Sequence, residues 1–407
     1  MTDASVLDSR YSWVRLLVTV AIAIVINVGI WIPIVVMPDV QAEFGASRAD
    51  VSIPYTLTMI GFALGNFVVG RAVDRYGVSL TLTVCSVGVA VAYILAALSP
   101  SLWLLTILQF FIGFASAIGF GPLIADLSKW FLNRRGIAVA LVASGNYLSG
   151  SIWPLALEAV ASDESWRWSY TAIGIVTLVL VPPMTLLLRR ALPDEAILTA
   201  DTQSASRTKA SGFTPRQLQI MLGIAGIGCC VAMSMPQVHI VALCVDYGFG
   251  AAVGAEMLSL MLLGGVVSRL ISGTLADRIG GIPTLLIGST LQAIALFLYL
   301  PAGGLVSLYV VSLIFGLSQG GIVPSYAVIV REYMPTREAG ARVGFVMMMT
   351  ILGMALGGWL SGLIYDLTGS YQWAFVNGIV WNGMNIAIII VILLRSRRGG
   401  AFTPAPA

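Results

Sequence analysis

Apolar runs of about 20 residues, separated by short polar stretches, fill this chain from end to end. Twelve can be drawn: roughly 15–37, 52–70, 79–99, 102–125, 136–157, 168–188, 218–243, 254–274, 282–301, 304–330, 343–365 and 373–394. A run of that length crosses the hydrocarbon core of a bilayer as a helix, in which every backbone polar group is satisfied within the segment. The pattern therefore predicts an all-α polytopic membrane protein with twelve transmembrane helices. Composition strengthens that reading, since 58% of residues are hydrophobic and 10% charged, where soluble domains carry about 25% charged residues. An even number of spans puts both termini on one side.

Lys and Arg positions predict which side that is. Loops and tails on the side of the termini hold 19 of these residues, and the opposite side holds only Arg48 and Arg167. Basic residues concentrate in cytoplasmic loops, so the termini are expected in the cytoplasm. The net charge of +3 carries no message about nucleic acid or acidic partners. The polar start, Met1 to Arg10, runs into a first span too long for a signal-peptide core, and no cleavable signal is expected. Cys85, Cys229, Cys230 and Cys244 lie within or at the ends of spans without a metal-type grouping, and read as packing residues.

The two halves of the chain repeat each other. Gly70-Arg71-Ala72-Val73-Asp74-Arg75-Tyr76-Gly77 joins spans two and three, and Gly273-Thr274-Leu275-Ala276-Asp277-Arg278-Ile279-Gly280 joins spans eight and nine, 203 positions later. The same offset pairs Pro33 with Pro236, Glu43 with Asp246, Gly45 with Gly248, Gly61 with Gly264, Gly113 with Gly316 and Arg134 with Arg337. Chance does not hold one register across so many positions. A Ser, Thr, Ala and charge-rich stretch reads as the boundary, which predicts a first six-helix half over 1–188, a cytoplasmic linker over 189–216 and a second six-helix half over 217–407. Two six-helix halves in parallel repeat, with a Gly-x-x-x-Asp-Arg-x-Gly loop between spans two and three of each, resemble the major facilitator superfamily. The resemblance implies a site between the halves near the bilayer midplane. In those loops Asp74 and Asp277 can face the N-terminus of a neighbouring helix, while Arg75 and Arg278 can bind carboxylates or lipid headgroups. These four residues are expected to latch the cytoplasmic side or, more simply, to set topology.

Arg269 is the one arginine that the pattern leaves inside a span. A guanidinium costs roughly 2.5–3.5 kcal/mol at the centre of a transmembrane helix and does not lose its charge. Its counterpart in the first half is Asn66, so the repeat does not itself demand a charge there. Eight residues separate it from Asp277 at the cytoplasmic face, about 12 Å of helix, which places it close to mid-membrane. Two readings stand: a structural arginine held by a buried carboxylate or by helix-end carbonyls, or a residue that receives an anionic substrate by charge-assisted hydrogen bonds. No acidic residue lies deep in a predicted span, which favours the second.

Other polar side chains at mid-span are candidate cavity residues. Asn27 on span one, Asn146 and Tyr147 on span five, and Ser318, Gln319 and Tyr326 on span ten are either substrate contacts or hydrogen bonds between helices. His239, the only histidine, lies in the outer half of span seven where the repeat has Val36. It is a candidate for proton coupling with Asp246 two turns beyond, or a packing histidine beside a solvated loop end.

Around span five, Trp130-Phe131-Leu132-Asn133-Arg134-Arg135-Gly136-Ile137-Ala138 followed by Ser144-Gly145-Asn146 resembles the motif at the start of that helix in the monocarboxylate transporter family. Asn27-Val28-Gly29-Ile30-Trp31 is similar to that family's motif in helix one, and its substrate-binding arginine on helix eight falls at Arg269. There are three departures: Asn27 replaces an acid, Asn133 a lysine, and Gly265 an aspartate one turn before the arginine. All three bear on the proton pathway. Bacterial oxalate/formate antiporters, also similar, pair the helix-eight arginine with a lysine on helix eleven, and span eleven here has none. One buried positive charge balances one carboxylate.

The resemblance thus implies a secondary active transporter of small monocarboxylates of the lactate and pyruvate class, working by proton-coupled symport and alternating access. The alternatives are an organic-anion exchanger of the oxalate/formate type or a non-transporting receptor on the same fold. The expected partners are a monocarboxylate anion, a proton and the lipid bilayer, with no nucleic acid and no cofactor or metal. The chain is expected to work as a monomer in a bacterial inner membrane. Spans and loops show no nucleophile-and-base arrangement, phosphate-binding loop or metal cluster, so enzymatic activity is not expected.

Overall fold

The computed structural model of the protein describes residues 7–46, 48–161, 165–192, 202, 204–208 and 212–398. Eleven helices among the described residues combine spanning length with apolar composition. A further helix, Arg135–Ala161, falls at the fifth position and has 27 residues, long enough to cross a bilayer. No strand occurs among the described residues, as expected where lipid leaves the backbone no outside partner.

Contacts group the chain into two compact units, Met1–Phe131 with Val142–Leu198 and Thr336–Met348, and Leu132–Leu141 with Thr199–Pro335 and Met349–Ala407. Each unit therefore takes most of one sequence repeat and the start of one helix from the other. Within the first unit, span two (Arg48–Tyr76) packs along span four and span three (Val78–Ala97) along span six (Trp166–Leu186). Within the second, span eight (Ala251–Ile279) packs along span ten, and span twelve (Gln372–Arg398) along spans seven (Pro215–Asp246) and nine (Gly281–Tyr299).

Glycine makes the two-four and eight-ten pairs close. A β-carbon on Gly113 would lie 2.0 Å from the Thr58 carbonyl oxygen, and one on its repeat mate Gly316 would lie 2.2 Å from that of Met261. Any larger residue at either position forces the helices apart.

Among the described residues, three spans are interrupted near their middle. Span one is helical over Arg10–Ile26 and tightens to a 3-10 turn over Asn27–Ile30. Span four runs Leu102–Ser116, passes through the 3-10 turn Ala117–Gly119 and resumes as Gly121–Ser128. Span ten runs Leu305–Gln319 and resumes as Ile322–Tyr333 after Gly320 and Gly321. Irregular backbone at membrane depth frees N–H and C=O groups that protein must satisfy, which makes these breaks the places to look for chemistry.

Candidate functional site

Arg269 sits at the break in span ten. Its side chain is 3% exposed, and its Nε donates to the Gly320 carbonyl oxygen at 3.1 Å. The approach is possible because Gly320 lies against span eight, where a β-carbon would meet the Gly265 carbonyl at 2.1 Å. The helix-end carbonyl foreseen for a structural arginine is thus present, and it holds one edge of the guanidinium. That contact also helps to fix the plane of the guanidinium.

Gln319 adjoins the same break. It is fully buried, and neither its side-chain nitrogen nor its oxygen has a partner in the protein. Leaving a buried polar group without a hydrogen bond costs about 1–3 kcal/mol, so two on one side chain mark a place where a ligand or water would be stabilised. Ser318, beside it, donates back to Ile314 O at 2.6 Å. Tyr326 is fully buried and donates to Asn385 Oδ1 at 2.8 Å. Asn385 in turn donates to Ser289 Oγ at 2.8 Å and to Asn382 Oδ1 at 3.1 Å, a network that pins spans nine, ten and twelve together.

The other proposed cavity residues lie in the first unit. Asn27 donates to Ala23 O at 2.8 Å and to Gly119 O at 2.9 Å, serving the breaks in spans one and four at once. Its Oδ1 is buried without a partner, as is Oδ1 of Asn146. The Asn146 backbone carbonyl accepts from Trp31 Nε1 at 3.2 Å, and Tyr147 is 8% exposed.

His239 is half-buried, with Nε2 2.9 Å from Gly358 O and Nδ1 3.2 Å from the Tyr371 hydroxyl. The Tyr371 ring stacks on Tyr365 with centroids 4.4 Å apart, and Tyr365 hydrogen-bonds the exposed Asp246. The structure therefore brings His239 and Asp246 into one cluster through two tyrosines. Sequence reasoning missed both tyrosines, because aromatic residues at the ends of spans are ordinary interface anchors.

The two loop aspartates sit on helix N-termini. Asp74 accepts from Gly340 N at 2.9 Å and Ala341 N at 2.8 Å, at the start of span eleven, with Lys129 Nζ at 3.4 Å. Asp277 accepts from Gly136 N at 2.5 Å and Ile137 N at 3.0 Å, at the start of span five. Each carboxylate satisfies two of the N–H groups that a helix start leaves without intrahelical acceptors. Arg75 and Arg278 are exposed, the former with its guanidinium 5.2 Å from the Tyr76 ring.

Arg269 is not the only buried arginine. Arg15, at the start of span one, is 2% exposed, pairs with Asp126 at 2.7 Å and donates to Leu188 O at 3.0 Å. Its guanidinium also lies 4.6 Å from the Trp130 ring, so it is held by an acid, a carbonyl and an aromatic face. Arg331, on the second segment of span ten, is also 2% exposed. Among the described residues, no three His, Cys, Asp or Glu side chains gather as a metal site would need.

Comparison with known proteins defines the class. The family model of the Major Facilitator Superfamily matches residues 19–341 and 220–406. This chain belongs to that superfamily and is an integral membrane transporter. Human monocarboxylate transporter 11 is 28% identical over 351 residues, covering 83% of this chain and 74% of its own length. The MFS-type transporter pynF of Aspergillus niger is 25% identical over 341 residues, covering 82% and 76%. In fold, the chain is similar to the crystal structure of the human organic anion transporter MFSD10 (TETRAN), with TM-score 0.73, 16% identity and coverage of 93% and 99%.

Proposed function

We propose that this transporter carries small monocarboxylates, of the lactate and pyruvate class, together with a proton by alternating access. The observation that carries the reading is Arg269, a buried guanidinium with one edge anchored on a helix-end carbonyl, beside the partnerless amide of Gln319. An arriving carboxylate makes charge-assisted bonds roughly twice as strong as those to neutral acceptors, and so takes precedence at the fork. The Gln319 amide then serves the hydroxyl or carbonyl on the neighbouring carbon of the substrate, with Ser318 and Tyr326 as further wall residues in the same unit. The likeness to monocarboxylate transporter 11 supports the same substrate class. A single positive charge at this depth favours a monoanion, since a second carboxylate would enter uncompensated.

Binding the anion neutralises Arg269 and lets the loaded protein change state, while the unloaded charge resists the same motion. Asp74 and Asp277, on the starts of spans eleven and five, act as cytoplasmic latches that must release for inward opening, with Arg75 and Arg278 at the aqueous edge. His239 and Asp246 handle the coupled proton. The protein works as a monomer in a bacterial inner membrane with both termini in the cytoplasm.

Proteoliposomes test this directly. Uptake of labelled pyruvate or L-lactate is expected to rise when the outside is made acid relative to the lumen, without any internal anion. Uptake that requires an internal organic anion and ignores the pH gradient would replace symport with exchange.

A further inference from the structure

The surroundings of His239 impose one arrangement of protons. Gly358 O can only accept, so the hydrogen of a neutral ring lies on Nε2 and is donated across 2.9 Å. Nδ1 is then the acceptor, and the Tyr371 hydroxyl 3.2 Å away donates to it. A proton added to Nδ1 turns that atom into a donor. The Tyr371 oxygen must then accept, and its own hydrogen must find another acceptor.

The groups facing this pair identify that acceptor. Span seven contributes Asp246, and span eleven contributes the Gly358 carbonyl, Tyr365 and Asp366. Tyr371 itself precedes span twelve. Tyr365 stacks on Tyr371 and hydrogen-bonds Asp246, and that carboxylate is near enough to act electrostatically on the Tyr371 hydroxyl.

The first repeat shows what the same position does without a switch. Glu43, the counterpart of Asp246, is bound by Arg167 Nη2 at 2.5 Å and Trp166 Nε1 at 2.6 Å. Hydrogen bonding to Arg167 holds the Glu43 carboxyl below the usual range. Val36 stands there in place of His239. One outer carboxylate is thus locked by a permanent cation, while the other adjoins the tyrosine pair that contacts the chain's single imidazole.

We propose that His239, Tyr371, Tyr365 and Asp246 form a proton-binding switch. Protonation of Nδ1 reverses the hydrogen bond to Tyr371, whose hydroxyl hydrogen then turns toward the Asp246 carboxylate. The balance is simple: one N–H bond forms with a proton from the outer aqueous phase, one O–H···N contact becomes N–H···O, and one O–H···O contact is gained. Burial, with Asp246 adding to it, pushes the Tyr371 hydroxyl up to about 12. Tyr371 therefore stays neutral through the physiological range, and it reorients where an acid would ionise. The use of the switch in transport rests on the symport reading; its chemistry does not.

A single histidine makes the test clean. The full chain, labelled with 15N-histidine, purified through a tag without histidine and placed in lipid nanodiscs, gives one pair of ring nitrogen signals. The expected result is protonation at Nε2 only at alkaline pH, both nitrogens protonated in acid, and in Tyr371→Phe a neutral ring still protonated at Nε2 whose Nδ1 signal loses the shift caused by an accepted hydrogen bond. Asp246→Asn, at an exposed site, is expected to shift the Nδ1 signal of the acid form. A neutral ring protonated at Nδ1, or signals that neither variant moves, would overturn the switch. Acid-driven pyruvate uptake measured on the same preparations separates the two ideas: its absence with the NMR pattern intact removes symport and leaves the switch standing.

Discussion

Asn66 and Arg269 occupy the same place in the two repeats, and each touches the break in the neighbouring span. Asn66 donates to Phe62 O at 2.8 Å and accepts from Gly121 N at 3.0 Å, serving the N–H freed where span four resumes. Arg269 donates to Gly320 O at 3.1 Å, serving the carbonyl freed where span ten stops. One break is met by a neutral acceptor and the other by a permanent cation. A neutral amide can also donate a hydrogen bond to a carbonyl, so the bond to Gly320 does not by itself call for a charge. The proposed role of that charge is to receive an anionic substrate.

The comparison can be broken from either side. Copying the first repeat into the second with Arg269→Asn removes the charge and keeps a short donor. Losing one partner of a buried charged pair costs about 2–5 kcal/mol, so transport of pyruvate in proteoliposomes is expected to fall on the order of 100-fold. The protein itself should stay folded in the membrane, and unchanged transport would reduce Arg269 to a structural residue. Removing the acceptor in the first repeat with Asn66→Ala leaves the buried Gly121 N–H without its bond, worth about 1–3 kcal/mol. That variant is expected to lower the midpoint of thermal unfolding, and Asn66→Asp, which keeps an acceptor, to lower it less. Equal midpoints for wild type and Asn66→Ala would show that the span-four break needs no cap.

Much of this architecture is legible in sequence, because lipid enforces long apolar runs and the 203-residue offset keeps the two repeats in register. The loop aspartates could be assigned to helix N-termini in general, since a carboxylate favours such ends. Which helices they meet was not legible, because Asp74 and Gly340 lie 266 positions apart and Asp277 and Gly136 lie 141 apart. Nothing local in the sequence distinguishes Arg15 from an ordinary loop-end cation, and only tertiary packing shows it buried on Asp126. The sequence leaves Tyr326 open as a substrate contact or a hydrogen bond between helices, and its bond to Asn385 joins it to an amide network invisible in any local pattern. In the sequence Asn66 is only the uncharged counterpart of Arg269; the break in span four gives its side chain a task.

The most direct measurement is calorimetric binding of pyruvate to purified protein, wild type against Arg269→Lys. The lysine keeps the positive charge and loses the planar fork. If the guanidinium holds the carboxylate through two parallel bonds, affinity falls by about tenfold or more, since each 1.4 kcal/mol is a factor of ten. Equal affinity in the two proteins would contradict a carboxylate held by Arg269.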